Sequence, residues 1–488
     1  MNRRSFLKTS TAALTAAGLF SGAGVSSAYH KLEENYGTVR YVTDYGADRT
    51  GEESVSDVVD DLADDDTLLK FPSGRYYMDR KVRFTTFENF GMAGLDATLV
   101  PASYDEFADG TNKLFRLGTP SDPGRGLHIQ NFDVDMTAAN TGARVFDVAV
   151  EDDLTIKDIT IEGRHDSGAW GPALVRVTES DGEGVVRRFR APDGAASTDQ
   201  SPADFLWRGP TGILCTWANQ GTMRFEDCVL GGFPDNGLYA SGGGGDIVVE
   251  GGRYANSGTA SIRAGGDNVR IAGAEVVIDD QPWDIPQEGI RLDHGGWVVV
   301  DDVTVDIPQP TNEGINVGDD VAGAFLKNLE MTIGEDSFTG IHVNSGTGPT
   351  YMKNVGIEIN GSSNAIQIEG DDAGEAGLAN VRITGDAGGE TMRHAIRCLR
   401  NDCSFRNITI DQRGGNQRRG IVLLGESSYV DGCDINTTGR GLSVKDGPAW
   451  IEDTRCDCDD PDSASIRIFD WVDDVRLKNN EFPDGINA

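Results

Sequence analysis

The apolar and polar positions of this chain recur in a short pattern that repeats along most of its length. Gly289-Ile290-Arg291-Leu292 returns as Gly314-Ile315-Asn316-Val317 and as Gly340-Ile341-His342-Val343, each reading small, apolar, polar, apolar. The apolar second residue can be followed in both directions at intervals of 21 to 30 residues. It is Ile213, Leu238, Ile262, Ile290, Ile315, Ile341, Ile366, Ile396, Ile421, Leu442 and Ile466. A repeat of this length is typical of a solenoid, a propeller or an array.

Each repeat holds a second apolar run that is interrupted once by Asn, Asp or Gly, as in Phe405-Arg406-Asn407-Ile408-Thr409-Ile410. Alternation with a period of two on both sides of the interruption predicts two short strands that meet at a bend. No part of the array shows the 3.6-residue periodicity of a helix. We therefore predict an all-β fold, a single right-handed parallel β-helix of about a dozen coils that together bury one continuous core.

One amphipathic helix is predicted before the array, from Ser54 to Ala63. It lies between Asp44-Tyr45-Gly46-Ala47 and Phe71-Pro72-Ser73-Gly74-Arg75-Tyr76, and Gly94-Leu95-Asp96-Ala97-Thr98-Leu99 follows. This order resembles the amino-terminal cap of the pectate-lyase-like superfamily between positions 40 and 100, with a departure at Arg49 to Glu53. The resemblance implies a right-handed β-helix whose open end is covered by this helix. Because the superfamily holds lyases, hydrolases, epimerases and proteins without known chemistry, the resemblance implies a fold and no single activity.

The repeat is lost between Arg164 and Thr211, where Gly, Pro, Asp and Ser are frequent. We interpret this segment as a loop insertion within one domain that spans residues 29–488. A long insertion in a solenoid usually lies on one face, often the binding face. A structural flap over the core is the alternative.

The first 28 residues resemble a twin-arginine export signal. Arg3 and Arg4 precede Phe6-Leu7-Lys8, a mildly apolar stretch follows, and Ser26-Ser27-Ala28 suits cleavage. We therefore predict that residues 1–28 are removed on export and that the protein is extracellular or at the cell surface. No later stretch has 18 consecutive apolar residues, so no other membrane span is expected.

The composition is strongly acidic. There are 79 Asp and Glu against 43 Lys and Arg, a formal net charge of −36, and 33 of the 43 cations are Arg. An acidic chain this poor in lysine resembles the proteins of extreme halophiles, whose surface carboxylates keep them soluble. Nucleic acid is not an expected partner, because such binding depends on Lys and Arg that neutralise phosphates. The seven cysteines are expected to be buried thiols, with a disulfide from Cys433 to Cys456 or Cys458 as the alternative.

The residue after each aligned Ile or Leu must point outward, because side chains alternate along a strand. In the middle of the array this position holds hydrogen-bonding side chains, and the small residues beside them leave an open surface that we call the trough. Its residues are Tyr239, Arg263, Arg291, Asn316, His342, Gln367 and Arg397. The next outward position adds Ser241, Asp293, Asn344, Glu369 and Lys445. Val422 and Ser443 follow, so the trough is predicted to end before Arg467, whose substitution is expected to have little effect.

The trough suits an extended polysaccharide, because the spacing of strands roughly matches the repeat of an extended glycan. Arginine pairs bidentately with carboxylates, so an anionic polysaccharide of the uronic-acid type is the predicted partner. Substrate contacts are expected from Tyr239, Arg263, Asn316, Gln367 and Asn344.

A lyase needs a cation that neutralises the sugar carboxylate and a base near the C5 proton. We predict Arg291, His342 and Arg397 for these catalytic roles. Asp293 and Glu369 are the predicted ligands of a Ca²⁺ ion, the one cofactor that this reaction suggests.

Two alternatives to a lyase stay open. Gly318-Asp319-Asp320 followed by His342 resembles part of the polygalacturonase motif, although here the Asp pair follows its strand instead of leading into it. A non-catalytic surface or adhesion protein, with the β-helix as a rigid spacer, also fits, because no complete catalytic signature is present.

Overall fold

The computed structural model describes residues 31–108, 112–335, 338–370, 373–388, 393–415 and 417–487. The predicted export signal therefore lies outside the described residues. The helices that lie wholly within these ranges are the α-helix Ser56–Leu62 and three short 3-10 helices, Val42–Tyr45, Tyr104–Glu106 and Thr198–Gln200, and residues 31–33 are also helical. None of these helices is long and apolar enough to cross a membrane.

Strands form two sheets that extend along the whole array, and the strands within each sheet pair in parallel. A 16-stranded sheet carries the aligned Ile and Leu positions. Its strands are Val82–Phe84, Lys113–Leu117, Arg144–Val148, Ala173–Leu174, Ile213–Cys215, Asn236–Ala240, Thr259–Ala264, Gln287–Gly295, Ile315–Val321, Ile341–Val343, Ile366–Ile368, His394–Cys398, Arg419–Leu423, Leu442–Val444, Ile466–Ile468 and Ile486–Asn487. The predicted parallel β-helix is confirmed, and the sixteen coils exceed the expected dozen because four strands of this sheet precede Ile213.

The second sheet has 24 strands and forms the bent wall of each coil. They are Thr38–Tyr41, Thr50–Ser54, Thr67–Phe71, Gly74–Met78, Glu88–Pro101, Arg125–Asp135, Leu154–Glu162, Glu183–Ala191, Thr222–Glu226, Val229–Gly231, Ile247–Glu250, Arg253–Ala255, Asn268–Ala272, Glu275–Val277, Trp297–Ile307, Ala324–Ile333, Thr350–Ile359, Ala376–Thr384, Cys403–Gln412, Ser428–Asp431, Asp434–Thr437, Ala449–Glu452, Arg455–Cys458 and Val475–Lys478.

The bend in the 24-stranded sheet lies at a residue with positive φ, which is Asn or Asp in most coils, Arg188 in one, and Gly in others, such as Gly273 and Gly432. Asn328, Asn354, Asn380 and Asn407 have φ between 54° and 56°, a left-handed conformation that Asn tolerates better than most residues. Their side chains also bond to one another: Nδ2 of Asn354, Asn380 and Asn407 each donates to the Oδ1 of the preceding coil's bend residue, at 2.8 to 3.0 Å. Asn328 Nδ2 donates to Oδ1 of Asp301, the residue before the bend of its neighbouring coil, at 2.8 Å. The interruption seen in the sequence is therefore the corner of the coil.

The core is one continuous stack of apolar side chains between the two sheets. Ile290, Ile315 and Ile341 occupy equivalent positions in neighbouring strands and are fully buried. Burial of apolar side chains in contact with the coils above and below is the main favourable term in the stability of such a solenoid.

The amino-terminal end is covered as the sequence predicts. Helix Ser56–Leu62 buries Val59 and Leu62 against the first coils, and Val55 at its start is fully buried. All seven cysteines are buried free thiols, so the disulfide alternative is not formed in this structure.

The segment from Arg164 to Thr211 contributes to both sheets. Ala173 pairs with Phe146 and with Ile213, and strand Glu183–Ala191 pairs with the neighbouring strands on both sides. The segment is thus one coil with long turns, rather than a loop between coils. The repeat escaped detection because Ala173–Leu174 is only two residues long and has no flanking pattern.

Candidate functional site

The outward face of the 16-stranded sheet places the seven trough residues in one line. Tyr239 is paired in register with Arg263, which pairs with Arg291, and the line continues through Asn316, His342 and Gln367 to Arg397. All seven side chains are half-buried. The structure therefore brings together the residues that the sequence selected, and their roles stay predictions.

Two acidic residues on the same face, Glu288 and Glu313, were not predicted from the sequence. Each lies two positions before the aligned Ile, where its coil enters the 16-stranded sheet. The same position holds Asn364, His394, Arg419 and Arg440 in later coils, so a second row of polar side chains runs beside the trough residues. Reading this position in each repeat would have revealed the row.

Asp293 binds two of the predicted arginines. Its Oδ2 accepts hydrogen bonds from Arg263 Nε at 2.6 Å and Ser241 Oγ at 2.8 Å, and its Oδ1 accepts from Arg291 Nε at 2.8 Å. Burial opposes ionisation, but the hydrogen bonds and charges of both arginines keep the pKa of Asp293 below its usual value. The guanidinium of Arg263 also lies 4.4 Å from the centre of the Tyr239 ring. Both arginines are therefore largely neutralised within the protein.

His342 lies between two carboxylates. Its Nδ1 donates to Glu313 Oε1 at 2.5 Å, and its Nε2 is 3.8 Å from Glu369 Oε1. Burial by itself lowers the pKa of His342, but the hydrogen bond and charge of Glu313, with a contribution from Glu369, raise it above its ordinary value. Arg397 Nη1 approaches the same Glu369 oxygen at 3.7 Å, and Gln367 donates to it at 2.7 Å.

Glu288 is the most perturbed carboxyl group of the trough. Only 5 % of the residue is exposed, and its Oε2 is buried without a hydrogen-bond partner among the described residues. Burial raises the pKa of Glu288 to about 7, with the negative charge of Glu313 acting in the same direction, although Arg291 at 3.8 Å opposes the shift. Near neutral pH this carboxyl group is therefore partly protonated.

Asn316 links Glu288 to Glu313. Its Nδ2 donates to Glu313 Oε2 at 2.7 Å and to Glu288 Oε1 at 3.3 Å, so these two oxygens lie within 6.0 Å of each other. Asn344 donates to Asn316 Oδ1 at 2.7 Å, which fixes the orientation of the Asn316 amide. Two carboxyl groups held by one amide, one of them with a raised pKa, can share the roles of general acid and general base.

Asp293 and Glu369, the predicted calcium ligands, belong to strands three steps apart in the 16-stranded sheet. At the usual strand spacing this separates them by about 14 Å, far more than two ligands of one ion. No group of three or more His, Cys, Asp or Glu suited to a metal ion occurs in the described ranges. That the protein requires Ca²⁺ stays a prediction. A bound Ca²⁺ ion could be coordinated by Asp293 or by Glu369, but not by both.

Asp319 and Asp320, the pair that suggested a polygalacturonase, are exposed at the end of strand Ile315–Val321. Asp319 Oδ1 accepts a hydrogen bond from the backbone of Gly346 at 2.8 Å, which joins two neighbouring turns. The hydrolase alternative therefore gains nothing from this pair.

Comparison with known proteins gives structural likeness only. No family model matches the chain, and no curated protein matches its sequence. Among solved structures, the A-module of Azotobacter vinelandii mannuronan C-5 epimerase AlgE6 is 14% identical, with 71% of this chain and 98% of that chain covered at a TM-score of 0.43. The Streptococcus pneumoniae surface protein and adhesin PfbA is 10% identical, with 90% and 100% covered at 0.38.

A third likeness is to the Yersinia enterocolitica family 28 exopolygalacturonase, 12% identical, with 91% of this chain and 76% of that chain covered at a TM-score of 0.24. These three proteins differ in what their names say they do. At such identities and TM-scores, none of them assigns a role to a residue of this chain.

Proposed function

We propose that the protein binds an extended anionic polysaccharide in the trough and cleaves it by general acid–base catalysis. The observation that carries the proposal is the pair formed by Glu288 and Glu313, two carboxyl groups joined through Asn316, of which Glu288 is buried and has a raised pKa. Perturbed and paired titratable groups in a surface depression are typical of an active site.

The roles follow from the contacts. Glu288, protonated near neutral pH, would donate a proton to the leaving oxygen of the sugar chain. Glu313, with its partner His342, would accept a proton, either from the sugar in an elimination or from water in a hydrolysis. Arg397 has only the 3.7 Å contact with Glu369 as an ion pair among the described residues, so its guanidinium is the best placed of the predicted arginines to bind a uronate carboxylate.

The proposal includes the predicted location. An extracellular polymer as substrate requires export, for which the amino-terminal residues Arg3 and Arg4 supply the signal. Export of the protein from its own cell, followed by amino-terminal sequencing after Ala28, would test that part separately.

The test is incubation of the protein lacking residues 1–28 with uronans and sulfated glycans at high salt, with and without Ca²⁺. Absorbance of unsaturated products identifies an elimination, and new reducing ends without that absorbance identify a hydrolysis. Glu288→Gln should lower kcat by about 100-fold or more, the usual contribution of a general acid. Glu358→Gln, at an exposed position on the 24-stranded sheet, is the matched control and should leave kcat unchanged.

Two results would overturn the proposal. The first is wild-type activity in the Glu288→Gln variant. The second is the absence of both products with every glycan, which would favour the non-catalytic spacer, the second function that the sequence left open.

A further inference from the structure

The carboxyl-terminal end of the 16-stranded sheet carries five cations close together, and we call this group the cationic end. They lie on or directly beside four successive strands, from His394–Cys398 to Ile466–Ile468, along the same sheet as the trough. Its members are Arg397, Arg419, Arg440, Lys445 and Arg467. From the sequence we expected the polar surface to stop before Arg467, because the trough position holds Val422 and Ser443 there, although the next outward position holds Lys445.

These cations lack the acidic partners that many other arginines of the protein have. Arg397 has one carboxylate oxygen at 3.7 Å, and the other four form no ion pair in the part of the chain that the structure describes. By contrast, Arg455 on the other sheet contacts Asp434, Asp457 and Glu481. In a chain with 79 acidic and 43 basic residues, an uncompensated group of five cations is unexpected from composition.

The five cations repel one another. Burial is the first cause that lowers the pKa of Lys445, and the charges of Arg419, Arg397, Arg467 and Arg440 add to it. The pKa of Arg440 is lowered in the same way, and its Nε is buried without a hydrogen-bond partner among the described residues. Like charges in a partly desolvated position are unfavourable unless an anion lies between them.

The surroundings of the cationic end fit a sugar that carries an anionic group. A cavity of about 370 Å³ opens beside Arg397 and Lys445, with Asn364 and Gln367 among its polar walls. The ring of Phe469 lies 4.2 Å from the Arg467 guanidinium and 5.3 Å from the Lys445 ammonium. Trp471, 68% exposed, packs against Phe469 with 4.8 Å between ring centres. Exposed aromatic faces next to cations can stack on a sugar ring while the cations bind its charge.

We propose that the cationic end is a recognition site for the anionic groups of a glycan, sulfate esters or carboxylates, and that it holds the part of the chain that extends beyond the acid–base pair. That the occupant is a glycan rests on the proposed function, whereas the recognition of an anion does not. Arg419 lies four strands from the strand that follows Glu313, a distance of about 19 Å. A ligand that reaches both places must therefore span several sugar residues.

The experiment measures binding to the protein lacking residues 1–28 by titration calorimetry, and the Glu288→Gln variant is used so that cleavage does not interfere. The probes are a sulfated hexasaccharide, an oligouronate hexamer, a neutral hexasaccharide and a single-stranded DNA of equal charge. We expect both anionic oligosaccharides to bind and the neutral one to bind at least tenfold more weakly. Comparison of the sulfated hexasaccharide with the oligouronate shows which anionic group is preferred.

The decisive variant is Arg440→Gln with Arg467→Gln, which should weaken binding of the better anionic hexasaccharide tenfold or more. Its matched control is Arg476→Gln with Lys478→Gln, which makes the same change in net charge near the same end of the chain, on the 24-stranded sheet. There the side chains are exposed and contact Asp474 and Glu452. The control should weaken binding less than twofold. Circular dichroism and the melting temperature of each variant check that the coils remain folded. If the double variant is unstable, Lys445→Gln replaces it, and this single substitution should also weaken binding.

Three outcomes would overturn the inference. They are an equal loss of affinity in both double variants, equal affinity for the neutral and anionic hexasaccharides, and tighter binding of the DNA than of either anionic hexasaccharide. The two proposals fail separately. Charge-dependent binding without cleavage by the wild type leaves the cationic end and removes the proposed enzyme. Cleavage that does not change in the Arg440→Gln, Arg467→Gln variant, together with unchanged binding, leaves the enzyme and removes the cationic end.

Discussion

The trough and the cationic end lie on the same face of one sheet, and they handle charge in opposite ways. In the middle of the trough the charged groups bond to one another: Asp293 bonds to Arg263 and Arg291, and Glu313 bonds to His342. At the cationic end, Arg419, Arg440 and Arg467 have no carboxylate partner in the described residues. The same coil geometry supports both arrangements, because outward side chains do not affect the stacking of the core.

This difference separates two kinds of function. Charges that bond to one another are held in fixed positions and have shifted pKa values, which is what acid–base chemistry needs. Charges without partners keep their capacity to bind an external ion, which is what recognition of a polyanion needs. Three measurements of stability test this difference, because paired and unpaired charges differ in their effect on the free energy of unfolding.

The largest effect is expected for Asp293→Asn. The substitution leaves Arg263 and Arg291 partly buried without their counter-charge, and we expect it to lower the free energy of unfolding by about 2 kcal/mol. This is less than the loss for a fully buried pair, because the side chains of Arg263 and Arg291 are 23% and 40% exposed. Denaturant unfolding measures it, with Asp306→Asn, an exposed Asp on the 24-stranded sheet, as the control. Equal stability of the two variants would show that the Asp293 contacts do not stabilise the protein.

The second effect is the slope of stability against pH, which is smaller per pH unit than the loss expected for Asp293→Asn. The pKa of Glu288 is raised in the folded protein to about 7, from 4.5. The folded state therefore binds the proton more tightly, and the stability it contributes is fully present below pH 4.5 and is lost as the pH rises to about 7. The side chain of the Glu288→Gln variant is neutral at every pH. Its free energy of unfolding should therefore fall less steeply with rising pH than that of the wild type, and the two slopes should differ by up to about 1.4 kcal/mol per pH unit. If the free energy of unfolding changes with pH in the same way in both proteins between pH 4.5 and 7, the pKa of Glu288 is not raised.

The smallest effect is expected for Arg440→Gln, and its sign is informative. Because Arg440 faces other cations, its removal should leave the free energy of unfolding unchanged or raise it by up to about 0.5 kcal/mol. Arg263→Gln, the same substitution in the trough, should lower it by about 1 kcal/mol, since a charge-assisted hydrogen bond to Asp293 is lost. Guanidinium unfolding would mask such electrostatic effects by screening, so urea is the denaturant to use. A clear loss of stability in Arg440→Gln would mean that this residue has a partner inside the protein.

Much of the fold followed from the pattern of residues. The aligned Ile and Leu positions lie in register in neighbouring coils, and the interruption at Asn or Asp is the corner of the coil. The trough residues form one line for the same reason, since a period-two alternation fixes which side chains point outward. The short strand Ala173–Leu174 was missed because two residues carry too little pattern to align.

The sequence by itself determined the β-helix, the capping helix and the register of the trough residues, because these depend on the spacing of apolar side chains within each repeat. Only the tertiary structure decided which charged groups pair. Asp293 and Arg263 are 30 residues apart, and Glu313 and His342 are 29 apart, yet each pair is in contact through stacking of neighbouring coils. The burial that raises the pKa of Glu288 and the absence of acidic groups around Arg440 in the described chain also depend on what the adjacent coils place there. Charge pairing depends on distances of a few ångströms across coils, which no single repeat contains.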